Sequence, residues 1–201
     1  MNYGELKAAI AAYAHREDLS DQIPTFVSLA TERLNRDLRI PSMVSDITFT
    51  PDANPYELPA DFLDLRELSG STPNGGRYLL QSVGRHQLAT YQNTGNAVPQ
   101  FYALTGNKIE VAPATGNELR LVYWASVDLP ATDDATNVIM DKWSTVYLWG
   151  SLVELHRYTQ DSQEQQKAEM NYISDLTRLN EEAESTRFGE APTSQGASSW
   201  V

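Results

Sequence analysis

The stretch Val44-Ser-Asp-Ile-Thr-Phe-Thr50 decides the fold, because the hydrophobic period of the chain changes there. Ile47 and Phe49 alternate with Thr48 and Thr50, a period of two that places apolar side chains on one face of a strand. Pro51, Asn54 and Pro55 then supply turn chemistry, so a β region opens at Val44.

Upstream the spacing is helical. Leu6, Ile10 and Tyr13 recur at intervals of four and three within Tyr3 to His15, which predicts a helix with one buried face. Asp21 is placed to cap a second helix with Pro24 in its first turn, where a missing N–H costs little. Phe26, Ala30, Leu34 and Leu38 carry the stripe until Pro41 ends it.

Downstream, Asp64 to Leu68 reads as a further strand, Gly70 to Gly76 as an exposed polar tip, and Val83 to Tyr91 as a short helix. Three strands are expected over Gln100 to Thr105, Lys108 to Val111 and Glu118 to Val127, with Gly106-Asn107 as a tight turn. Asp141 to Thr159 is apolar around most of its circumference, so it reads as a helix buried on several sides. Ser162 to Arg187 shows Tyr172, Leu176, Leu179 and Ala183 on one stripe and reads as amphipathic.

The fold class is therefore α+β: a helical bundle from N- and C-terminal helices with an inserted antiparallel β domain. The expected boundaries are 1–41 and 137–188 for the bundle, 42–136 for the β domain, and 189–201 for an extended C-terminal tail.

Composition narrows function. Asp plus Glu number 27 against 15 Lys plus Arg, and a net charge of -12 disfavours nonspecific attraction to nucleic-acid phosphates. The absence of Cys removes disulfides, thiolate nucleophiles and cysteine-ligated zinc. The N-terminal residues lack the basic-then-apolar order of a secretory signal, and the apolar run Val146 to Leu155 falls short of the about 20 residues that cross a bilayer. The chain reads as one that works without a membrane.

No constellation for catalysis stands out. His15, His86 and His156 fall in three different predicted elements, which gives neither a paired-His metal site nor a Ser-His-Asp arrangement. Asp61, Asp64 and Glu67 raise a glycoside hydrolase as an alternative, but in so acidic a chain a solvated strand face explains them better. No catalytic, cofactor-binding or metal-binding residue is assigned, and no cofactor is expected.

The candidate contact residues are of three kinds. Arg33, Arg36 and Arg39 step by three along the second helix as a docking edge for an acidic partner, although basic residues there also complement the helix dipole. Asn74 and Asn96 lie in the loops 70–76 and 92–97, placed to meet a neighbouring component. Trp124, Trp143 and Trp149 lie in patterned elements and read as core, whereas Trp200 in a polar tail cannot bury itself locally and reads, with Phe188 and Val201, as an anchor for another chain.

The segment Tyr56-Glu-Leu-Pro-Ala-Asp-Phe-Leu-Asp-Leu-Arg-Glu-Leu68 resembles tailed-bacteriophage head-to-tail adaptor (connector) proteins, which often carry a similar L-P-x-D-F. Met1-Asn-Tyr-Gly-Glu-Leu-Lys-Ala-Ala-Ile10, Gln22-Ile-Pro-Thr-Phe26 and Glu32-Arg-Leu-Asn-Arg-Asp-Leu38 are similar to that family's first helices. Val98-Pro-Gln-Phe-Tyr102, Lys108-Ile-Glu-Val-Ala-Pro113, Leu119-Arg-Leu-Val-Tyr-Trp124 and Tyr147-Leu-Trp-Gly-Ser-Leu-Val-Glu154 follow in the family's order.

The resemblance implies a structural virion protein of the neck: a ring of identical subunits, commonly twelve, between the portal protein and the tail nozzle, forming part of the genome ejection channel. Its implied partners are copies of itself, the portal, the tail nozzle or tube, and passing double-stranded DNA without specific binding. It implies no catalysis. A tail-completion or terminator protein with another ring number is the alternative closest in kind.

Overall fold

The structure, a computed structural model, describes residues 1–51, 54–72, 74–92, 98–114 and 116–187. Its α+β chain divides into two compact units, Met1–Ser42 with Val127–Val201 and, between them in sequence, Met43–Ser126.

The helical unit contains α1 (Tyr3–Ala14), α2 (Ile23–Asp37), α4 (Val138–Tyr158) and α5 (Ser162–Arg187). A capping box starts α1: Asn2 Oδ1 accepts from the Glu5 N–H at 2.7 Å, and Glu5 Oε2 accepts from the Asn2 N–H at 3.0 Å. Leu6 and Ile10 are fully buried as their spacing predicts, while Tyr13 sits edge-on to Trp149 and is largely exposed.

Asp21 does not cap α2. The chain enters from the 3-10 turn Glu17–Leu19 with the Gln22 N–H bonded to the Leu19 carbonyl, so Gln22 takes the cap position and offers no side-chain bond. Pro24 lies in the first turn and Phe26, Ala30, Leu34 and Leu38 are buried, as expected.

Helix α4 packs against α1, α2 and α5. Gly150 makes that possible: a Cβ there would lie 3.2 Å from the Tyr172 ring of α5 and 3.3 Å from Ala30 Cβ of α2. At Trp143 the backbone leaves helical geometry (φ -135°, ψ 50°), which splits α4 into a short first stretch and a long second one.

Residues 127–136 belong with the helices, although composition groups them with the β region. The reason is a set of polar clamps. The Asn35 amide donates to the Val127 carbonyl at 3.1 Å and accepts from the Val127 N–H at 2.9 Å, reproducing a strand pairing with one side chain. Lys7 bonds Asp133 at 2.6 Å, and the Tyr3 N–H reaches the Ala135 carbonyl at 3.0 Å. Asn35→Ala removes both bonds to Val127 and is expected to cost about 1–3 kcal/mol, read as a lower urea midpoint at unchanged slope. A midpoint equal to that of the parent protein would show that the clamp contributes nothing.

Among the described residues the β unit holds two four-stranded sheets. One has the order β1 (Val44–Phe49), β8 (Leu119–Ala125), β3 (Phe62–Ser71), β4 (Arg77–Leu79), all antiparallel. The other has the order β2 (Tyr56–Glu57), β7 (Lys108–Ala112), β6 (Phe101–Thr105), β5 (Gln81–Ser82). Strand β5 pairs parallel to β6, because α3 (Arg85–Tyr91) provides the crossover that a parallel pair needs. Leu88 of α3 is buried with Ala103 and Ala112 of that sheet.

Strand β3 departs from simple alternation. Its register against β8 shifts between Phe62 and Asp64 and again between Leu65 and Glu67, two bulges that leave Leu63 and Arg66 outside the ladder. Phe62, Leu65 and Leu68, three residues apart, therefore all join the core of Leu121 and Tyr123. The same strand continues through Gly70 and Ser71, so Gly70 is buried in the sheet and not part of the expected tip. The Tyr78 ring lies across it, and a Cβ on Gly70 would stand 2.4 Å from that ring.

Arg77 to Ser82 is one run that serves both sheets. It changes allegiance at Leu80, whose N–H bonds the Leu68 carbonyl, while the next N–H, from Gln81, bonds the Gln100 carbonyl, just ahead of β6 in the other sheet.

Candidate interaction surfaces

The arginine stripe separates into three roles. Arg33 turns inward within the helical unit: its guanidinium bonds both carboxylate oxygens of Glu169, one at 2.9 Å, and lies 4.3 Å from the Tyr172 ring centroid. Asp37 stands 3.7 Å away on the other side. Hydrogen bonds from Arg33, helped by its charge, hold the Glu169 carboxyl below the usual range, and burial pushes the Tyr172 hydroxyl up, with Asp37 adding to the shift. Arg39 bonds the carbonyls of Asn35 and Leu38 at 2.8 and 2.6 Å, finishing the C-terminus of its own helix. Arg36 alone of the three is exposed without an ion pair among the described residues.

Asn74 is exposed at the β3–β4 turn, which Thr72 braces by accepting from the Gly76 N–H at 3.0 Å. Gly75 adopts φ 79° there, a conformation that favours glycine. Asn96, Phe188, Trp200 and Val201 lie outside the described residues.

The carboxylates considered for hydrolysis have other duties. Asp61 accepts from the Tyr123 hydroxyl at 3.1 Å, and Asp64 is exposed on β3 opposite Trp124. Neither lies in an enclosed apolar pocket, since Asp61 is half-buried and Asp64 is exposed. Among the described residues no group of three or more His, Asp or Glu side chains could hold a metal ion. No helix is long and apolar enough to cross a membrane among the described residues.

The tryptophans are less buried than their patterns suggest. Trp124 is in the core, but Trp143 and Trp149 are half-buried, and the Trp143 indole N–H donates to Glu182 at 3.2 Å. The break in α4 turns the Trp143 ring toward α5, which a uniform helical wheel misses.

Other exposed apolar side chains escaped the sequence reading. Met170 and Ile173 on α5 are 72% and 51% exposed, and Leu79 on β4 is 65% exposed. The signal for the first two was present: they lie off the Tyr172–Leu179–Ala183 stripe, where an amphipathic helix carries polar residues.

Among the described residues, Arg36, Asn74, Leu79, Met170 and Ile173 are the exposed side chains considered as contacts. A family model described as SU10 adaptor protein matches residues 1–196, and the chain belongs to that family, one of phage head-to-tail adaptors. No curated protein matches it. Membership in a structural adaptor family implies a role without catalysis.

Proposed function

We propose that the protein assembles as a closed ring of about twelve identical copies between the portal and the tail nozzle, and that the ring forms part of the channel through which DNA leaves. The observation that carries this reading is the family match over residues 1–196. The energy source is burial of surface between copies and neighbours. DNA passes without specific binding, because a net charge of -12 repels phosphates and sets no cation track for them. Arg36 and Asn74 are the exposed described residues placed to meet neck components, with Phe188, Trp200, Val201 and Asn96 as further contacts from the sequence.

Native mass measurement of the full chain, alone and mixed with portal assemblies, tests the proposal. The expected result is a portal-bound species carrying a ring's multiple of the chain. A chain that stays monomeric and unbound at micromolar concentrations in both samples overturns it.

A further inference from the structure

The outer face of α5 carries an uncharged strip. Met170 and Ile173 stand one turn apart, and Asn171, Ser174 and Thr177 flank them, all exposed. The opposite side of the helix is already used, with Ala168, Tyr172, Leu179 and Ala183 buried. Two large apolar side chains side by side in water form a small patch that a partner could cover.

The partner is constrained by charge. Copies of a chain with net charge -12 repel each other on average, so close approach is favoured where the facing surfaces are uncharged or carry opposite charges. Helix α1 offers a weakly charged face, an open depression lined by Ala8, Ala11, Ala12, His15, Arg16 and Asp18. Those two charges neutralise each other at 2.7 Å. The alanines leave room for an approaching helix, and their spacing of three and four residues matches the one-turn spacing of Met170 and Ile173. Beside the two strips, Lys167 and Arg178 are exposed on α5 and Glu5 is exposed one turn before Ala8 on α1, charges of opposite sign.

We propose that the Met170–Ile173 face of α5 in one copy seats in the Ala8–Ala12 groove of α1 in the next copy. The two surfaces differ, so the contact is head-to-tail: each copy gives one face and receives on another, and a closing rotation yields a ring. This rests on the ring reading above and names the surfaces that would build it.

The absence of Cys makes a crosslinking test clean. The full chain carrying Ala12→Cys and Ile173→Cys, assembled with portal and oxidised, is expected to give a ladder of chain multiples on a non-reducing gel. Each single variant stops at dimers. Met170→Glu with Ile173→Glu, both exposed, should leave helicity and melting unchanged while raising the concentration needed for assembly at least tenfold.

Rings that form normally from the Glu variant and give no ladder from the Cys pair overturn this interface and leave the ring reading standing. No ring from the parent chain under any condition overturns both. A Cys pair that closes within one chain, or an Ile173→Cys side chain that instead captures Trp200→Cys of its own chain, also overturns it, since the face would then be covered from within.

Discussion

Replacing Tyr172 with Ala is expected to destabilise the helical unit by about 3–5 kcal/mol, the usual cost of deleting a fully buried aromatic side chain. Tyr172 is 0% exposed and joins α5 to two other helices: Gly150 of α4 lies beneath its ring, and Arg33 of α2 stacks on it. Its hydroxyl also bonds Asp37 at 3.4 Å, a long and weak contact. Tyr172→Phe keeps the ring and loses only that bond, so it should cost about 1 kcal/mol or less. Chemical denaturation followed by circular dichroism separates the two. If Phe cost as much as Ala, the hydroxyl and not the ring would be holding α2, α4 and α5 together.

Asn137→Ala should be the second most damaging change, at about 2–3 kcal/mol. Asn137 is the N-cap of α4, and its Oδ1 accepts from the Ile139 and Met140 N–H groups at 3.1 and 2.9 Å. Its Nδ2 donates to the Asp128 carbonyl at 3.1 Å and to the Tyr147 hydroxyl at 3.0 Å. Losing the cap costs about 1 kcal/mol, and stripping a partner from a buried hydroxyl adds about 1–2 kcal/mol. The Tyr147 hydroxyl keeps Thr31 as a neighbour, which holds the penalty to the lower part of its range. Asn137→Ser restores an oxygen to the cap without the amide donors and should recover about half of the loss. Equal melting temperatures for the Ala variant and the parent would refute the assignment.

How far these features were legible in the sequence depends on the distance over which each is decided. The stripes Leu6–Ile10 and Phe26–Ala30–Leu34–Leu38 were readable because helical periodicity is local, and the switch at Val44 was readable for the same reason. Strand β3 was read short because its two bulges put Phe62, Leu65 and Leu68 on one face at a spacing of three, which obeys neither strand nor helix arithmetic. The roles of Asn35 and Asn137 were invisible, since an amide that substitutes for a strand or caps a helix looks like any other loop asparagine until its partner is known.

Contact residues fared likewise. Arg33, Arg36 and Arg39 announced a basic edge, yet Arg33 is claimed by Glu169, 136 positions away, and Arg39 by its own helix end. Only the exposure of Arg36 remains available to a neighbour. Met170 and Ile173 were passed over because a single apolar stripe already accounted for α5.

The run Arg77–Ser82 is the margin of two sheets at once, and this sets how the β unit answers force. A tug on the turn at Asn74 loads the β3–β4 pairs in order from Ser71 and Arg77 inward, reaching Leu80, bonded to β3, before Gln81, bonded to the chain leading into β6. Peeling the margin of one sheet therefore ends where the margin of the other begins.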